Sequence, residues 1–414
     1  MIGFQLRLKN LYRIEDIFRR YFEIANFFEW RCDYTIVQYQ TKTIPWNYPV
    51  YRRALWIQIR AWILIAYTFT SLFIDDDIYC FQLNYFESIL KTERLDLLGD
   101  FILIVLLILE YIWFRNFRSL RTYRLGFNNV IGRMIHYDKK RLTEKNHQIL
   151  INKYNLMCLI YIGLYQLSRV IFSSLIIVLF ILFKIGDDWD QIIFSFIIMF
   201  LAFLHSEIIL GLFFVTFVHF TFTFEFLKTR LKQICVQAEL LKNRNHSDIL
   251  SYTIRKEYGD LFYETSTLNQ TAQYYFMLHE ALTKTSMIVG TIFFSRQIAI
   301  NLFNSLVLFV IILFILLFNF LDQSVTAFSK LNKKYYKILN NWCCRLIISR
   351  NSKPLGLIIK NGMFIQKIQN NRLGFNLCGL YEMTAFKHLE SFLLNFVFVL
   401  MFYKKFIMNT NKLT

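Results

Sequence analysis

Proline and glycine are scarce in this chain, with 3 and 13 residues among 414. Soluble multi-domain proteins spend both more freely on turns and linkers, so a loop-rich enzyme architecture is disfavoured. Acids are also short, 29 against 47 Lys and Arg, which leaves a formal net charge of +18. The seven histidines are scattered from His136 to His388, without the paired spacing of metal-dependent oxidases or zinc proteases. There is no phosphate-cradling glycine loop and no nucleophile elbow. Cys343 and Cys344 lack a second Cys/His pair at zinc spacing. No catalytic residue, metal or cofactor is expected.

What is abundant is apolar. Hydrophobic residues make up 56% of the chain and Phe alone contributes 45, with a mean hydropathy of +0.37. Runs of about 18 or more apolar residues with few charges recur, and such runs read as membrane helices. Seven are predicted: 55–74, 97–114, 156–184, 191–224, 274–296, 302–321 and 385–403. The third and fourth are longer than a bilayer requires, which implies tilt or extension beyond it. The fifth is the least apolar, since it contains His279, Glu280 and Lys284. All three prolines (Pro45, Pro49, Pro354) lie outside the runs. Broken helices of the transporter kind are therefore not indicated. No cleavable leader is read at the N-terminus, where Arg7 and Lys9 fall within the first ten residues.

The charge is unevenly placed. Segments 1–54, 115–155, 225–273 and 322–384 carry 9, 10, 7 and 10 Lys/Arg, whereas 75–96, 185–190 and 298–301 carry 2, 0 and 0. Basic loops stay in the cytoplasm, next to anionic lipid, so the N-terminus is expected inside and the C-terminus outside. Lys404, Lys405 and Lys412 in the tail are a mild misfit. The same placement explains the net charge without nucleic acid. Residues 1–54 read as an amphipathic cytoplasmic region, 55–321 as spans one to six with basic loops, 322–384 as a cytoplasmic anchor, and 385–414 as the seventh span with a short tail. Only Cys80 falls in a segment read as extracellular, so no intrachain disulfide is expected there.

Charges within spans are expensive and generally face protein or water. Arg169 in the third span and Glu207 in the fourth reach similar depth if the two helices form an antiparallel hairpin, with His205 near them. They are expected to pair, either to fix helix register or to contact a ligand. Lys284 at mid-depth and Arg296 near the outer end of the fifth span complete the candidate ligand-binding set: Arg169, His205, Glu207, Lys284 and Arg296.

The C-terminal stretch Asn371-Arg372-Leu373-Gly374-Phe375-Asn376-Leu377-Cys378-Gly379-Leu380-Tyr381-Glu382 is a small-residue turn leading into the last apolar run. Its block Phe375, Asn376, Cys378, Gly379, Leu380 resembles the segment preceding the last span of insect gustatory receptors. The ending typical of that family, Thr-Tyr, five apolar residues and Gln-Phe, has no counterpart here. The resemblance implies an all-α polytopic protein with seven transmembrane helices. Function would be that of a homo- or hetero-tetrameric, ligand-gated, non-selective cation channel for small organic tastants, in the plasma membrane of sensory neurons. In that architecture the seventh span lines the pore, and Ser391, Asn395 and Val399 are carried over by position as pore-lining. Membrane lipid is an expected partner and nucleic acid is not. The alternatives are a secondary solute transporter and a non-conducting relative of such receptors.

Overall fold

A computed structural model describes residues 34–73, 95–135, 142–183, 189–243, 248–297, 302–348, 355–370 and 373–377, with 381–382, 384, 386–387, 389–390 and 393 beyond them. Nearly all are helical. The helices are α1 (Ile36–Gln40), α2 (Tyr48–Phe73), α3 (Leu95–Arg121), α4 (Gly126–Ile135), α5 (Glu144–Phe183), α6 (Trp189–Asn243), α7 (Asp248–Arg296), α8 (Leu302–Ile348) and α9 (Leu355–Asn370). Two short strands, β1 (Asn376–Leu377) and β2 (Tyr381–Glu382), pair antiparallel, with Asn376 opposite Glu382.

Local chemistry sets several of these boundaries. Thr35 caps α1 in a capping box: its Oγ1 accepts the Gln38 amide at 3.1 Å, and Gln38 Oε1 accepts the Thr35 amide at 2.8 Å. α3 ends in a left-handed closure at Tyr123, whose φ is 54°. There the Tyr123 amide donates to the Leu120 carbonyl and the Arg124 amide to the Ser119 carbonyl. This is the Schellman arrangement. A non-glycine residue in that conformation costs about 1–2 kcal/mol, and Tyr123 offsets part of that by setting its ring 5.6 Å from Tyr39.

Four helices are long: α5 has 40 residues, α6 55, α7 49 and α8 47. At 1.5 Å per residue they extend about 60–80 Å, roughly twice a bilayer's hydrocarbon thickness. The segments 225–243, 248–273 and 322–348 are therefore continuations of helices rather than loops. α6 packs along α5 and α8, α4 lies against α7, and α1 lies on α4. The main core sits in these extensions, among residues such as Leu150, Tyr154, Phe226, Leu231, Leu261 and Tyr335.

The other half of the long helices has a smaller buried cluster, of Met287, Ile311 and Ile315, and a large exposed apolar surface. Val170, Phe196, Phe200, Ile288, Phe309 and Leu316 are exposed large apolar side chains within the apolar runs. Among the described residues no helix is long and apolar enough to cross a membrane. The reading of spans therefore stays with the apolar runs of the full sequence.

α4 meets α7 at unusually close range. A Cβ on Gly126 would lie 2.4 Å from the Thr267 carbonyl oxygen and 2.8 Å from the Leu268 Cα, both backbone atoms. The Gly126 amide donates to Thr271 Oγ1 at 3.0 Å. Gly126→Ala must push the two helices apart and is expected to cost about 1–3 kcal/mol, read as a lower melting temperature of the purified chain. Gly163→Ala on α5, where nothing among the described residues lies within 4 Å, should be neutral or slightly stabilising. Equal melting temperatures for the two variants would contradict the close packing.

Candidate functional site

The expected ligand residues lie on α5, α6 and α7. Arg169 is on α5 and Glu207 on α6, two helices that pack together, but their side chains lie outside the described set, as does that of Arg296. His205 on α6 is buried, with its Nδ1 lacking a hydrogen-bond partner among the described residues. Arg60 of α2 acts on it electrostatically. A buried imidazole with an open nitrogen is a group that a polar ligand could engage. Lys284 is half-exposed and pairs at 2.8 Å with Glu280 one turn back on its own helix. Residues 391, 395 and 399, and Cys378, Gly379 and Leu380, lie outside the described residues.

A polar contact that hydropathy did not reveal joins α7 to α8. Asn304 Nδ2 donates to Gln297 Oε1 at 3.3 Å, and both residues are buried. The signal was Asn304, one of two Asn within the nearly apolar run 302–321, where an amide needs a partner.

The described part of the C-terminal block is an anchor in the core. Phe375 is fully buried, and Leu373 nearly so. The Phe375 ring meets Phe224 of α6 edge-on at 4.6 Å, Phe328 of α8 at 5.8 Å and Phe276 of α7 at 6.3 Å. Edge-to-face pairs at such separations add to the area buried. The strand pairing just after Phe375 holds the chain in this seat, and β1 lies against α7. Phe375 thus fastens the segment leading to the seventh apolar run onto three helices at once.

Around the seat run two carboxylate-centred ionic groups. Glu264 of α7 accepts from Arg230 of α6 at 2.5 Å and from Arg133 of α4 at 3.2 Å, and Glu257 stands 3.7 Å from Arg230. Glu225 of α6 accepts from Lys153 of α5 at 2.6 Å and from Lys228 at 2.7 Å. Burial pushes the Glu225 carboxyl up, but the two lysines outweigh it and hold it below the ordinary value. On the far side, Asn361 of α9 accepts from Ser251 at 3.3 Å and from Arg255 at 2.5 Å, tying α9 to α7. These groups order helices and offer no nucleophile beside a base. Among the described residues no group of three His, Cys, Asp or Glu could hold a metal ion.

No protein-family model matches the chain, and no curated protein matches it. Among solved structures, the insect olfactory receptor OR5 from Machilis hrabei in complex with eugenol is similar. It superposes with a TM-score of 0.63 at 8% identity, covering 94% of this chain and 98% of that one. A second structure of that receptor gives 0.57 at 10% identity, covering 82% and 87%. At such identity the likeness shows a shared fold along nearly the whole chain.

Proposed function

We propose that this chain is a subunit of a chemosensory, ligand-gated, non-selective cation channel with seven spans, its N-terminus in the cytoplasm. The observation that carries this reading is the end-to-end fold likeness to an insect olfactory receptor. Fold alone does not fix function, so two independent features matter. The long helices expose apolar side chains along the apolar runs and bury their core in the basic extensions, the pattern of a protein half in lipid. The block at Phe375 resembles gustatory receptors, which favours a tastant over an odorant as the small organic ligand. On this reading the subunits form a homo- or hetero-tetramer in the plasma membrane of sensory neurons. Arg169, His205, Glu207, Lys284 and Arg296 are the proposed ligand contacts, with His205 best supported by its buried, open nitrogen. Ser391, Asn395 and Val399 are the proposed pore-lining positions.

A second reading has its own observation. The missing Gln-Phe ending of the last apolar run favours a relative that reaches the membrane and does not conduct.

Current recorded from cells expressing the chain, alone and with related receptors, separates the two. The expected result is a cation current evoked by one or more members of a panel of sugars, bitter compounds and amino acids, with its ion preference altered by Asn395→Ala. Silent tetramers at the cell surface would favour the non-conducting relative. Substrate flux without gated current would replace both readings by a transporter.

A further inference from the structure

Where the apolar part of α3 gives way to its basic end, a cavity of about 510 Å³ opens between α3 and α7. Arg115, Arg118 and Arg124 line it, together with Tyr111, Tyr274 and Gln270. None of the three arginines makes an ion pair among the described residues. The carboxylates that flank the cavity along α7 are engaged by other bases, Glu264 by Arg133 and Arg230 and Glu280 by Lys284. Arg115 is held in place by the Tyr274 ring, 4.3 Å below its guanidinium, with the Tyr111 ring at 6.0 Å. Stacking of this kind fixes the guanidinium plane and leaves its in-plane donors free for an oxyanion.

A helix C-terminus ordinarily repels anions through its unpaired carbonyls. Here the carbonyls of Arg118, Ser119 and Leu120 already accept from the amides of Thr122, Arg124 and Tyr123. The Arg124 carbonyl accepts from Thr271 Oγ1 at 3.3 Å. The closure at Tyr123 therefore turns a carbonyl-rich end into a cationic bowl.

The bowl also has an apolar approach. Leu107, Tyr111 and Phe114 are exposed and lie on one stripe of α3, and Arg118 follows on that stripe one turn beyond Phe114. A soluble anion would have no use for this stripe. An acyl chain would lie along it while its headgroup filled the bowl.

We propose that this cavity binds the phosphorylated headgroup of an anionic lipid of the cytoplasmic leaflet. Arg115, Arg118 and Arg124 would grip the phosphates, and Leu107 and Phe114 would support the acyl chain. A headgroup with more than one phosphate matches three arginines better than a monoanionic one. The inference rests on α3 being a span with its basic end inside, and it does not require the chain to conduct.

The test uses the full chain in detergent micelles, titrated with a fluorescent phosphatidylinositol bisphosphate. Wild type should bind saturably, and the unlabelled lipid should displace the probe where phosphatidylcholine does not. The double variant Arg118→Gln, Arg124→Gln should bind about tenfold or more weakly at an unchanged melting temperature. Arg115→Lys should also weaken binding, because a lysine keeps the charge and loses the stacked, planar donors. Displacement by soluble inositol trisphosphate as effective as by the lipid would keep a phosphate site and overturn its lipid assignment. Wild-type affinity in the folded double variant would overturn the site altogether. A chain that never partitions into membranes would remove the span reading along with it, whereas a membrane-embedded chain with indifferent variants removes this inference alone.

Discussion

Phe375→Ala is expected to lower the stability of the folded chain by about 3–5 kcal/mol, the range for truncating a fully buried aromatic. The ring fills a seat built from Phe224, Phe276 and Phe328, one from each of three helices. Its loss leaves a cavity that none of them can close without moving a helix several turns long. Phe375→Leu keeps most of the volume and should cost less than about 1.5 kcal/mol if the seat repacks. Melting of the detergent-solubilised protein, followed by size-exclusion chromatography, reads both variants. An alanine variant that melts with wild type would mean that the ring is not seated in the core. Where the alanine variant still reaches the surface, altered gating at normal ligand affinity is expected, because the seat holds the segment leading to the proposed pore and lies outside the proposed ligand site.

Glu264→Ala should be comparably severe, for a different reason. Arg230 has a side-chain exposure of only 3%, and Glu257, at 3.7 Å, is a more distant carboxylate than Glu264 at 2.5 Å. Breaking one side of a buried pair costs about 3–5 kcal/mol, chiefly because the other charge stays desolvated. The accompanying loss of the Arg133 contact is minor, since that side chain is 46% exposed. The double variant Glu264→Leu, Arg230→Met removes the two charges of the closest pair and should recover part of the loss, held back because buried Glu257 then loses its Arg230 contact, and the difference gives a coupling energy in a double-mutant cycle. Additive losses in the same melting assay would show that the two residues do not stabilise each other. The two expected losses are close in size, but only the ionic one can be rescued by a second deletion.

The apolar runs were legible because long, uninterrupted apolar stretches stand out in any hydropathy window, and the described residues of the first six lie within helices of the fold. The run 191–224 begins close to the start of α6, 274–296 ends with α7, and 302–321 starts with α8. The opposite ends of the same helices were hidden. Beyond residue 224 α6 continues to Asn243, and α7 starts at Asp248. There helices are amphipathic and bury their apolar side against protein, so a hydropathy window sees only their mixed composition. Partners were less legible still. Glu264 meets Arg230 from 34 positions away and Arg133 from 131, and nothing in local spacing links the three. The Phe375 block was conspicuous as a motif, yet its seat is made of phenylalanines among 45 in the chain, and composition cannot single out three of them. Lys284 was singled out by its depth in an apolar run, and the carboxylate it pairs with, four residues back, was legible from the same spacing.

The contacts of the segment around α1 bear on the order in which the molecule can be assembled during synthesis. Tyr39 donates its hydroxyl to the Leu125 carbonyl at 3.1 Å and accepts the Leu125 amide at 2.8 Å, while Tyr34 accepts from Asn128 at 2.6 Å. This strap is among the first described residues to leave the ribosome, and its docking surface emerges only 86 positions later. That surface is itself sealed when Gly126 meets Thr267 and Leu268. The strap must therefore wait, with Tyr34, Ile36 and Tyr39 uncovered, at least until α4 is made, and α4 gains its own packing on α7 only when more than half of the protein has emerged. Contacts of such long range are slow to form, and apolar surface left open in the interim invites misassociation. Damage to the strap should accordingly show first as a lower yield of mature protein, with the molecules that do complete assembly behaving much as before.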